Sequence, residues 1–270
     1  MGRALRLLIN DKCNFNCHFC HNEFQGYTNR TSKQKFNIRK VCFLYETLNS
    51  LHQVDIVKFS GGEPLLEINQ VTGISKVLLE KYSVKPILLS NLRLITEESL
   101  LELKVSGIGE IRVNMPSFTA STYTLHVGGN KHDYDAVVAN MLKIAKHKIP
   151  ISLNVVVSNL KQIHGSIEGF IYCASKFVDP YRISFIVNDR LPNKNSINIH
   201  LLQELRRLST APIIKKRGRI YQGLILNKII TVTSCVEWSL LTCNTQDESD
   251  FYCIPPGILL TSMLHGRANQ

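Results

Sequence analysis

Three cysteines near the start of the chain are the residues whose type and spacing most directly indicate chemistry. Cys13, Cys17 and Cys20 follow the pattern C-x3-C-x2-C and come directly after an apolar run over residues 4–9. Cysteine thiolates are the usual protein ligands of iron–sulfur clusters. Three thiolates on one short loop can bind three irons of a [4Fe–4S] cluster and leave the fourth iron without a protein ligand. Such an iron can bind a small molecule as well as carry electrons.

Zinc is the alternative metal for this segment, and a disulfide is the alternative state of its thiols. Cys13, Cys17, Cys20 and His21 could form a Cys3His zinc site,. Structural zinc sites usually divide their ligands into two pairs separated by a longer loop, which disfavours zinc here. The sequence shows no secretory signal segment and no apolar run long enough to cross a bilayer. We therefore expect a cytoplasmic protein without a membrane partner, in which thiols stay reduced.

Length and charge narrow the classes of partner. A chain of 270 residues can bury one large core, with or without a small appendage,. The formal charge of +11 favours an anionic partner, such as a small anionic substrate or an acidic peptide,. The densest basic stretch, residues 215–219, has no interleaved aromatic residues. A stacking groove for single-stranded nucleic acid is therefore not indicated, and nucleic acid is not the expected partner.

Strands and helices alternate along the first two thirds of the chain, which predicts parallel βα units. Apolar residues recur every three to four residues between short β-branched runs,. The predicted strands are 4–9, 56–60, 85–89, 110–114, 151–157 and 182–187, and the predicted helices are 39–51, 68–81, 97–106, 133–146 and 166–178. Six such units and no dinucleotide glycine fingerprint fit neither a full eight-fold barrel nor a doubly wound sheet well. The α/β fold that fits the count is a partial (βα)6 TIM-like barrel, which the family resemblance given below implies. In barrels of this type the chemistry lies at the carboxyl ends of the strands.

The pattern changes after residue 187. Residues 188–198 are polar and rich in turn formers, 201–208 form a short helical pattern, and 224–233 predict a hairpin. We therefore predict a partial-barrel domain over residues 1–190 and a small cysteine-bearing extension over 191–270.

Other candidate site residues follow the predicted strands. Gly61 and Gly62 allow the backbone to approach a ligand closely, and Glu63 comes next,. A Gly-Gly turn before a helix is the alternative explanation of this pair. Ser90 and Asn91 end the third strand, and such residues can bind a ribose hydroxyl or a carboxylate, or cap a helix,. Arg6, on the first strand, could bind a substrate phosphate,.

Two asparagines occupy positions where strands predict buried side chains. Asn114 ends the fourth strand, and Asn154 lies inside the fifth, a β-branched run. A buried amide needs a partner, which is either another core group or a bound ligand. Both interpretations stay open for Asn154.

The cysteine spacing and the motif over residues 60–64, Ser-Gly-Gly-Glu-Pro, resemble the radical S-adenosylmethionine (SAM) superfamily. Within it, residues 5–7, 10–17, 59–66 and 112–156 resemble the branch of the molybdenum-cofactor GTP 3′,8-cyclases. The resemblance implies a [4Fe–4S] cluster at Cys13, Cys17 and Cys20 with an open iron that binds SAM. It further implies that Phe19 lies against the adenine and that Gly61, Gly62 and Glu63 position the methionine part. Ser90, Asn114 and Asn154 are further SAM candidates.

The resemblance implies an enzyme that cleaves SAM reductively to a 5′-deoxyadenosyl radical, with electrons from a protein such as flavodoxin or ferredoxin. We expect this radical to abstract hydrogen from a small phosphorylated or nucleotide-like substrate, leading to cyclisation or rearrangement in a specialised biosynthetic pathway. Modification of a ribosomally made peptide is the alternative. A non-catalytic zinc protein that binds nucleic acid is a remote third possibility.

The last part of the chain contains three further cysteines, Cys235, Cys243 and Cys253. In related enzymes, tails of this kind carry an auxiliary cluster in a twitch or SPASM domain. The resemblance therefore implies a second [4Fe–4S] cluster, for which the tail supplies three thiolates. Inert buried thiols are the alternative, because cysteine is often only a small core residue.

Overall fold

A computed structural model describes residues 3–20, 35–188, 191–216, 220–233, 251–254 and 258–260. The strands are β1 Arg3–Leu8, β2 Val54–Ser60, β3 Ile87–Ser90, β4 Glu110–Asn114, β5 Ile151–Val157, β6 Arg182–Val187, β7 Ile214–Lys216, β8 Ile220–Ile225, β9 Lys228–Thr233, β10 Phe251–Ile254 and β11 Ile258–Leu260. The helices are α1 Ile38–His52, α2 Ile68–Tyr82, α3 Glu97–Val105, α4 Ala120–Val127, α5 Lys131–Lys146, α6 Ile167–Ser175 and α7 Lys194–Leu208. Among these described helices, none is long and apolar enough to cross a membrane.

The described residues divide into two compact units. Those of the first unit lie within Met1–Asn14, His21–Ile111 and Gln246–Gln270. Its strands follow the order β11-β10-β1-β2-β3, and the start of β4 comes next. β1 is parallel to both β2 and β10, and β2 is parallel to β3. Four of the six residues of β1 are apolar and buried, as expected for a strand covered on both faces: Ala4, Leu5, Leu7 and Leu8,.

The second unit contains Phe15–Cys20 and Arg112–Thr245. Its strands follow the order β4-β5-β6-β9-β8-β7. β6 pairs in parallel with both β5 and β9, and the two hairpins β7–β8 and β8–β9 are antiparallel. Alternate residues of β5 and β6 are fully buried and apolar, including Leu153, Val155, Ile183 and Phe185. Between them, Asn154 and Ser184 point to the other face and are half-buried,.

Local sequence explains where several helices begin. α3 starts with a capping box in which Thr96 and Ser99 bond each other's backbone, and α5 starts with the same motif from Asn130 and Asp133. Asn37 caps α1 by accepting a hydrogen bond from the backbone of Lys40. Such caps satisfy backbone donors that have no partner within the helix.

Most predicted elements are confirmed, and β4, β5 and β6 have the predicted bounds. The hairpin predicted over residues 224–233 is present, and Leu226 and Asn227 form its turn with positive φ angles. Its second strand, β9, was not expected to join the sheet beside β6, and β10 was not expected beside β1. The described chain therefore contains more parallel strands than the six predicted. The domain boundary at residue 190 stays a prediction.

Two helices differ from expectation. α7 begins at Lys194, inside the segment 188–198 that was predicted to be rich in turns, and thus before the helical pattern predicted over 201–208. α4 was missed because its sequence, Ala-Ser-Thr-Tyr-Thr-Leu-His-Val, contains several weak helix formers,. Tertiary packing compensates, since Tyr123 on α4 is fully buried with its ring 5.4 Å from the ring of Tyr134 on α5.

Candidate cofactor site

Glu63 is the centre of a buried hydrogen-bond network in the first unit. Its carboxylate accepts hydrogen bonds from the Ser90 hydroxyl at 2.8 Å, the Asn91 backbone at 2.8 Å and the Leu65 backbone at 3.0 Å. Its relative exposure is only 1 %. Burial raises the pKa of the Glu63 carboxyl above its ordinary value of 4.5, although the three hydrogen bonds act in the opposite direction,.

This network gives Glu63 and Ser90 a positioning role. The Ser90 hydroxyl donates to Glu63 and accepts from the Leu92 backbone at 2.9 Å. Together the two side chains join the segment after β2 to the segment after β3. Direct contact of either residue with SAM stays a prediction.

Gly61 and Gly62 pack against the backbone that leads into the cysteine loop. The Gly62 backbone donates to the Asn10 carbonyl at 2.7 Å, and the Glu63 backbone donates to the Lys12 carbonyl at 2.7 Å. A Cβ atom on Gly62 would lie 1.9 Å from the Lys12 carbonyl oxygen, and one on Gly61 would lie 2.5 Å from that of Asn10. These glycines are therefore required for close packing within the chain. Their predicted contact with SAM is untested.

Asn91 links the end of β3 to the first cysteine. Its side-chain amide donates to Asn14 Oδ1 at 2.8 Å and lies 3.8 Å from Cys13 Sγ, within reach of a hydrogen bond to sulfur. Asn10 performs a similar linking role, since its amide donates to the Glu63 carbonyl at 2.9 Å. From the sequence, Asn91 is expected together with Ser90 as a possible ligand contact, whereas Asn10 is not among the candidate site residues. Its position just after β1 is the signal that could have identified it.

The second and third cysteines lie at the two ends of one β-turn in the second unit. The Cys20 backbone donates to the Cys17 carbonyl at 3.0 Å. The ends of a β-turn lie within about 7 Å of each other, a separation that suits two ligands of one metal group. Phe19, between them, is buried at 5 % exposure. Its predicted contact with adenine stays a prediction.

Asn114 and Asn154 lie on neighbouring strands of the second unit. The backbone of Met115 donates to the Asn154 carbonyl at 2.9 Å. Asn154 is in register with Ser184 on β6, which is in register with Thr231 on β9. The side-chain oxygen of Asn114 is buried and has no hydrogen-bond partner among the described residues. A buried acceptor of this kind fits a hydroxyl or ammonium donor of a ligand, as expected for a SAM contact.

Arg6 lies inside β1, two residues before the strand ends. Its register neighbour on β2 is Lys58, which is buried at 9 % exposure. Two cationic side chains thus occupy adjacent positions on one face of this sheet.

The chemistry of the cysteine side chains fits an iron–sulfur cluster. Cys13, Cys17 and Cys20 form no disulfide, and Cys13 and Cys20 are exposed. Over the described ranges, no three His, Cys, Asp or Glu side chains are grouped closely enough to bind a metal ion. The three-cysteine ligand set therefore rests on sequence. Cys42 and Cys173 also form no disulfide.

The tail cysteines can be placed only in part. Cys235 and Cys243 lie outside the described residues. The backbone of Cys253 is part of β10, in register with Leu7 of β1 and Leu259 of β11. The predicted second cluster is therefore untested.

Comparison with known families decides the class of this protein. The model of the radical SAM superfamily matches residues 7–160, which is more than half of the chain. The chain belongs to the radical SAM superfamily. Membership implies a [4Fe–4S] cluster and SAM as cofactors and confirms the predicted class of enzyme.

Similarity to curated proteins supports the predicted branch. A probable GTP 3′,8-cyclase of Methanococcus aeolicus is 25 % identical over 221 residues, which cover 79 % of this chain and 70 % of that protein. The probable GTP 3′,8-cyclase of Pyrococcus abyssi is 28 % identical over 156 residues, covering 57 % of this chain and 47 % of that protein. For several such relatives the matched part is therefore about half of their length.

A solved structure supports the fold. Streptococcus suis SuiB bound to S-adenosylmethionine aligns over 100 % of this chain and 62 % of its own, with a TM-score of 0.67 and 12 % identity. At this identity the likeness shows the fold alone. The α/β architecture and mostly parallel strands are those of a radical SAM partial barrel, as predicted.

Proposed function

We propose that this radical SAM enzyme abstracts hydrogen from a small phosphorylated or nucleotide-like substrate. The observation that carries the proposal is the similarity to a probable GTP 3′,8-cyclase across 79 % of the chain. The formal charge of +11 also favours an anionic substrate,. The product would be a cyclised or rearranged small molecule.

We assign the cluster to Cys13, Cys17 and Cys20, and the SAM contacts to Phe19, Gly61, Gly62, Asn114 and Asn154. When bound, the two cofactors supply a 5′-deoxyadenosyl radical that removes a hydrogen atom from an unactivated C–H bond. Glu63 and Ser90 position the segment that carries the two glycines. The electron donor would be a small reductant protein such as flavodoxin or ferredoxin.

Two basic residues are the candidates for binding substrate anions. Arg6 and Lys58 are adjacent in register on β1 and β2. A guanidinium group can bind a phosphate through two parallel hydrogen bonds, and a neighbouring ammonium adds attraction. We therefore place the phosphate or carboxylate of the substrate near this pair.

The first test is anaerobic reconstitution with iron and sulfide, followed by iron counting and a 5′-deoxyadenosine assay with SAM and dithionite. The wild type is compared with a variant in which Cys13, Cys17 and Cys20 are all replaced by Ala. We expect about eight irons in the wild type, about four in the variant, and deoxyadenosine from the wild type only. About four irons in the wild type and none in the variant would contradict a second cluster at Cys235, Cys243 and Cys253. Zinc without sulfide would contradict the assignment of the cluster.

The second test addresses the substrate contact. Arg6→Ala should lower substrate turnover about tenfold or more, because a charged hydrogen bond is lost, and should spare uncoupled SAM cleavage. Lys104→Ala, at an exposed position on α3, is the matched control. Equal loss of both activities in Arg6→Ala would contradict a substrate role.

Modification of a ribosomally made peptide is the second candidate. SuiB bound to its precursor peptide aligns over 100 % of this chain, with a TM-score of 0.64 and 13 % identity. Deuterium transfer into 5′-deoxyadenosine separates the candidates. Transfer from deuterated nucleotides supports the small-molecule proposal, and transfer only from a deuterated peptide supports the alternative.

A further inference from the structure

We infer that the carboxyl end of α4 is the platform that positions the cysteine turn, residues 17–20, and that Gly128 is its key positioning residue. The inference rests on the proposed cluster at Cys13, Cys17 and Cys20. It adds a part of the chain more than a hundred residues away in sequence, which contributes no ligand of its own.

Two backbone hydrogen bonds attach the segment around the turn to this helix end. The Asn16 backbone donates to the Val127 carbonyl at 3.2 Å, and the His18 backbone donates to the His126 carbonyl at 3.0 Å. The last carbonyls of a helix have no partner within the helix and need hydrogen-bond donors from elsewhere. The segment that carries Cys17 therefore supplies part of the C-terminal cap of α4.

Gly128 allows this close approach. It ends α4 in the left-handed conformation, with φ +67° and ψ 30°. A Cβ atom at this position would lie 2.8 Å from the Asn16 carbonyl oxygen and 3.4 Å from the Asn16 carbonyl carbon. Any other residue would push the segment away from the helix, since the obstructing atoms belong to the backbone and cannot rotate aside.

The platform itself is firmly placed within the second unit. Tyr123 of α4 is fully buried against the ring of Tyr134. The Tyr134 hydroxyl donates to the Phe118 carbonyl at 2.8 Å, just before α4 begins. Asn130 starts α5 with a capping box only two residues after Gly128. A displacement at Gly128 must therefore be absorbed mainly by the cysteine segment.

The cysteine turn would transmit this displacement to two cluster ligands. Cys17 follows the anchored Asn16 directly, and Cys20 is joined to Cys17 by the hydrogen bond across the turn. Ligand geometry at metal sites tolerates only small shifts. Loss of the platform should therefore weaken retention of the cluster without removing any thiolate.

The test compares two substitutions at Gly128 with a matched control. Gly128→Ala adds a Cβ atom and disfavours the left-handed conformation, whereas Gly128→Asn adds the Cβ atom at a residue type that tolerates this conformation. Gly165→Ala is the control, because Gly165 has φ +79° in the same unit and a Cβ atom there would meet nothing within 4 Å. Circular dichroism checks that each variant folds.

The first measurement is hydrogen exchange of the Asn16 and His18 amides in the metal-free protein, and the second is the rate of iron loss to a chelator from the reconstituted protein. We expect both Gly128 variants to exchange and to lose iron about tenfold faster than the wild type, as expected for backbone displacement of this kind. Gly165→Ala should match the wild type in both rates, even where its melting temperature falls.

Three results would overturn the inference: unchanged exchange in Gly128→Asn, faster exchange with unchanged iron loss, or equal effects in Gly165→Ala. A wild type that binds no iron would instead contradict the proposed function. The exchange measurement needs no metal, so the two failures can be distinguished.

Discussion

The two parts of the cysteine loop are attached to the protein in different ways. In the first unit, Cys13 lies beside the Asn91 amide, which also bonds Asn14, so that side chains make this attachment. In the second unit, the segment before Cys20 is attached to α4 through backbone groups. Side-chain attachment depends on residue identity at several positions. Backbone attachment depends on the absence of a side chain at one position, Gly128.

Within the first unit, the glycines of the motif also serve backbone attachment, and the largest effect should occur there. Gly62→Ala places a methyl group 1.9 Å from the Lys12 carbonyl oxygen, an overlap that only backbone movement can relieve. We expect the free energy of unfolding to fall by at least about 3 kcal/mol and the protein to retain little cluster. Urea unfolding and iron counting measure the two effects.

Gly73→Ala is the control for this substitution. Gly73 lies inside α2, and a Cβ atom there would meet nothing within 4 Å. Alanine should stabilise the helix by about 0.5–1 kcal/mol. A Gly62→Ala protein as stable as Gly73→Ala would show that the Asn10–Lys12 segment can move freely, and the described packing would then be irrelevant to the site.

The second effect concerns Glu63, and it depends on pH. Burial raises the pKa of this carboxyl above 4.5, so the folded state binds the proton more tightly than the unfolded state does. The stability that Glu63 contributes through this pKa difference is fully present below pH 4.5 and is lost as the pH rises through the raised folded value. Glu63→Gln removes this titration.

Relative to Glu63→Gln, the wild type should therefore lose free energy of unfolding as the pH rises from below 4.5. Urea unfolding of both proteins across this range measures the shift. A difference that stays constant with pH would show that the three hydrogen bonds to the carboxylate balance its desolvation, and one that moves in the wild type's favour would show that they outweigh it.

The difference between the two attachments also explains how much of the site could be predicted from sequence. The cysteine spacing and the Gly-Gly-Glu-Pro motif consist of side-chain types at short separations, so the sequence displays them directly. The strand bounds of β4, β5 and β6 were predictable because each is a short run of β-branched or alternating apolar residues bounded by turn formers. Sequence periodicity therefore placed the motifs at the correct strands.

The attachment to α4 could not be predicted in the same way. Its donors and acceptors are backbone groups of Asn16, His18, His126 and Val127, and every residue type carries such groups. Gly128 was visible only as half of a Gly-Gly pair before a helix, a common feature of turns. Likewise, β9 and β10 are short runs whose partners lie far away in sequence, and local patterns do not identify such partners.

Replacement of Asn91 should change the reduction potential of the cluster, an effect of intermediate size. Asn91→Ala removes the amide beside Cys13 Sγ, and hydrogen bonds to cluster sulfurs raise the reduction potential,. We expect the potential to become more negative by an amount on the order of tens of millivolts. Redox titration followed by electron paramagnetic resonance measures it.

Asn10→Ala is the matched control for Asn91→Ala. It also removes an amide, one that bonds the Glu63 carbonyl and accepts from the Lys12 backbone. The described contacts of Asn10 include no sulfur, so the potential should stay near the wild-type value. Equal shifts in the two variants would show that Asn91 acts through general disorder of the loop and not through Cys13.

The smallest effect should come from the side chain of His18, and it separates the two kinds of attachment most directly. His18 is exposed, and the bond to the His126 carbonyl uses its backbone, which His18→Ala preserves. We expect stability within about 0.5 kcal/mol of the wild type and an unchanged rate of iron loss. In contrast, Asn14→Ala removes the acceptor for Asn91 and should speed iron loss about fivefold, the effect of losing roughly 1 kcal/mol of hydrogen bonding,. Faster iron loss in His18→Ala would mean that the imidazole helps to retain the cluster, and the second attachment would then no longer be one of backbone alone.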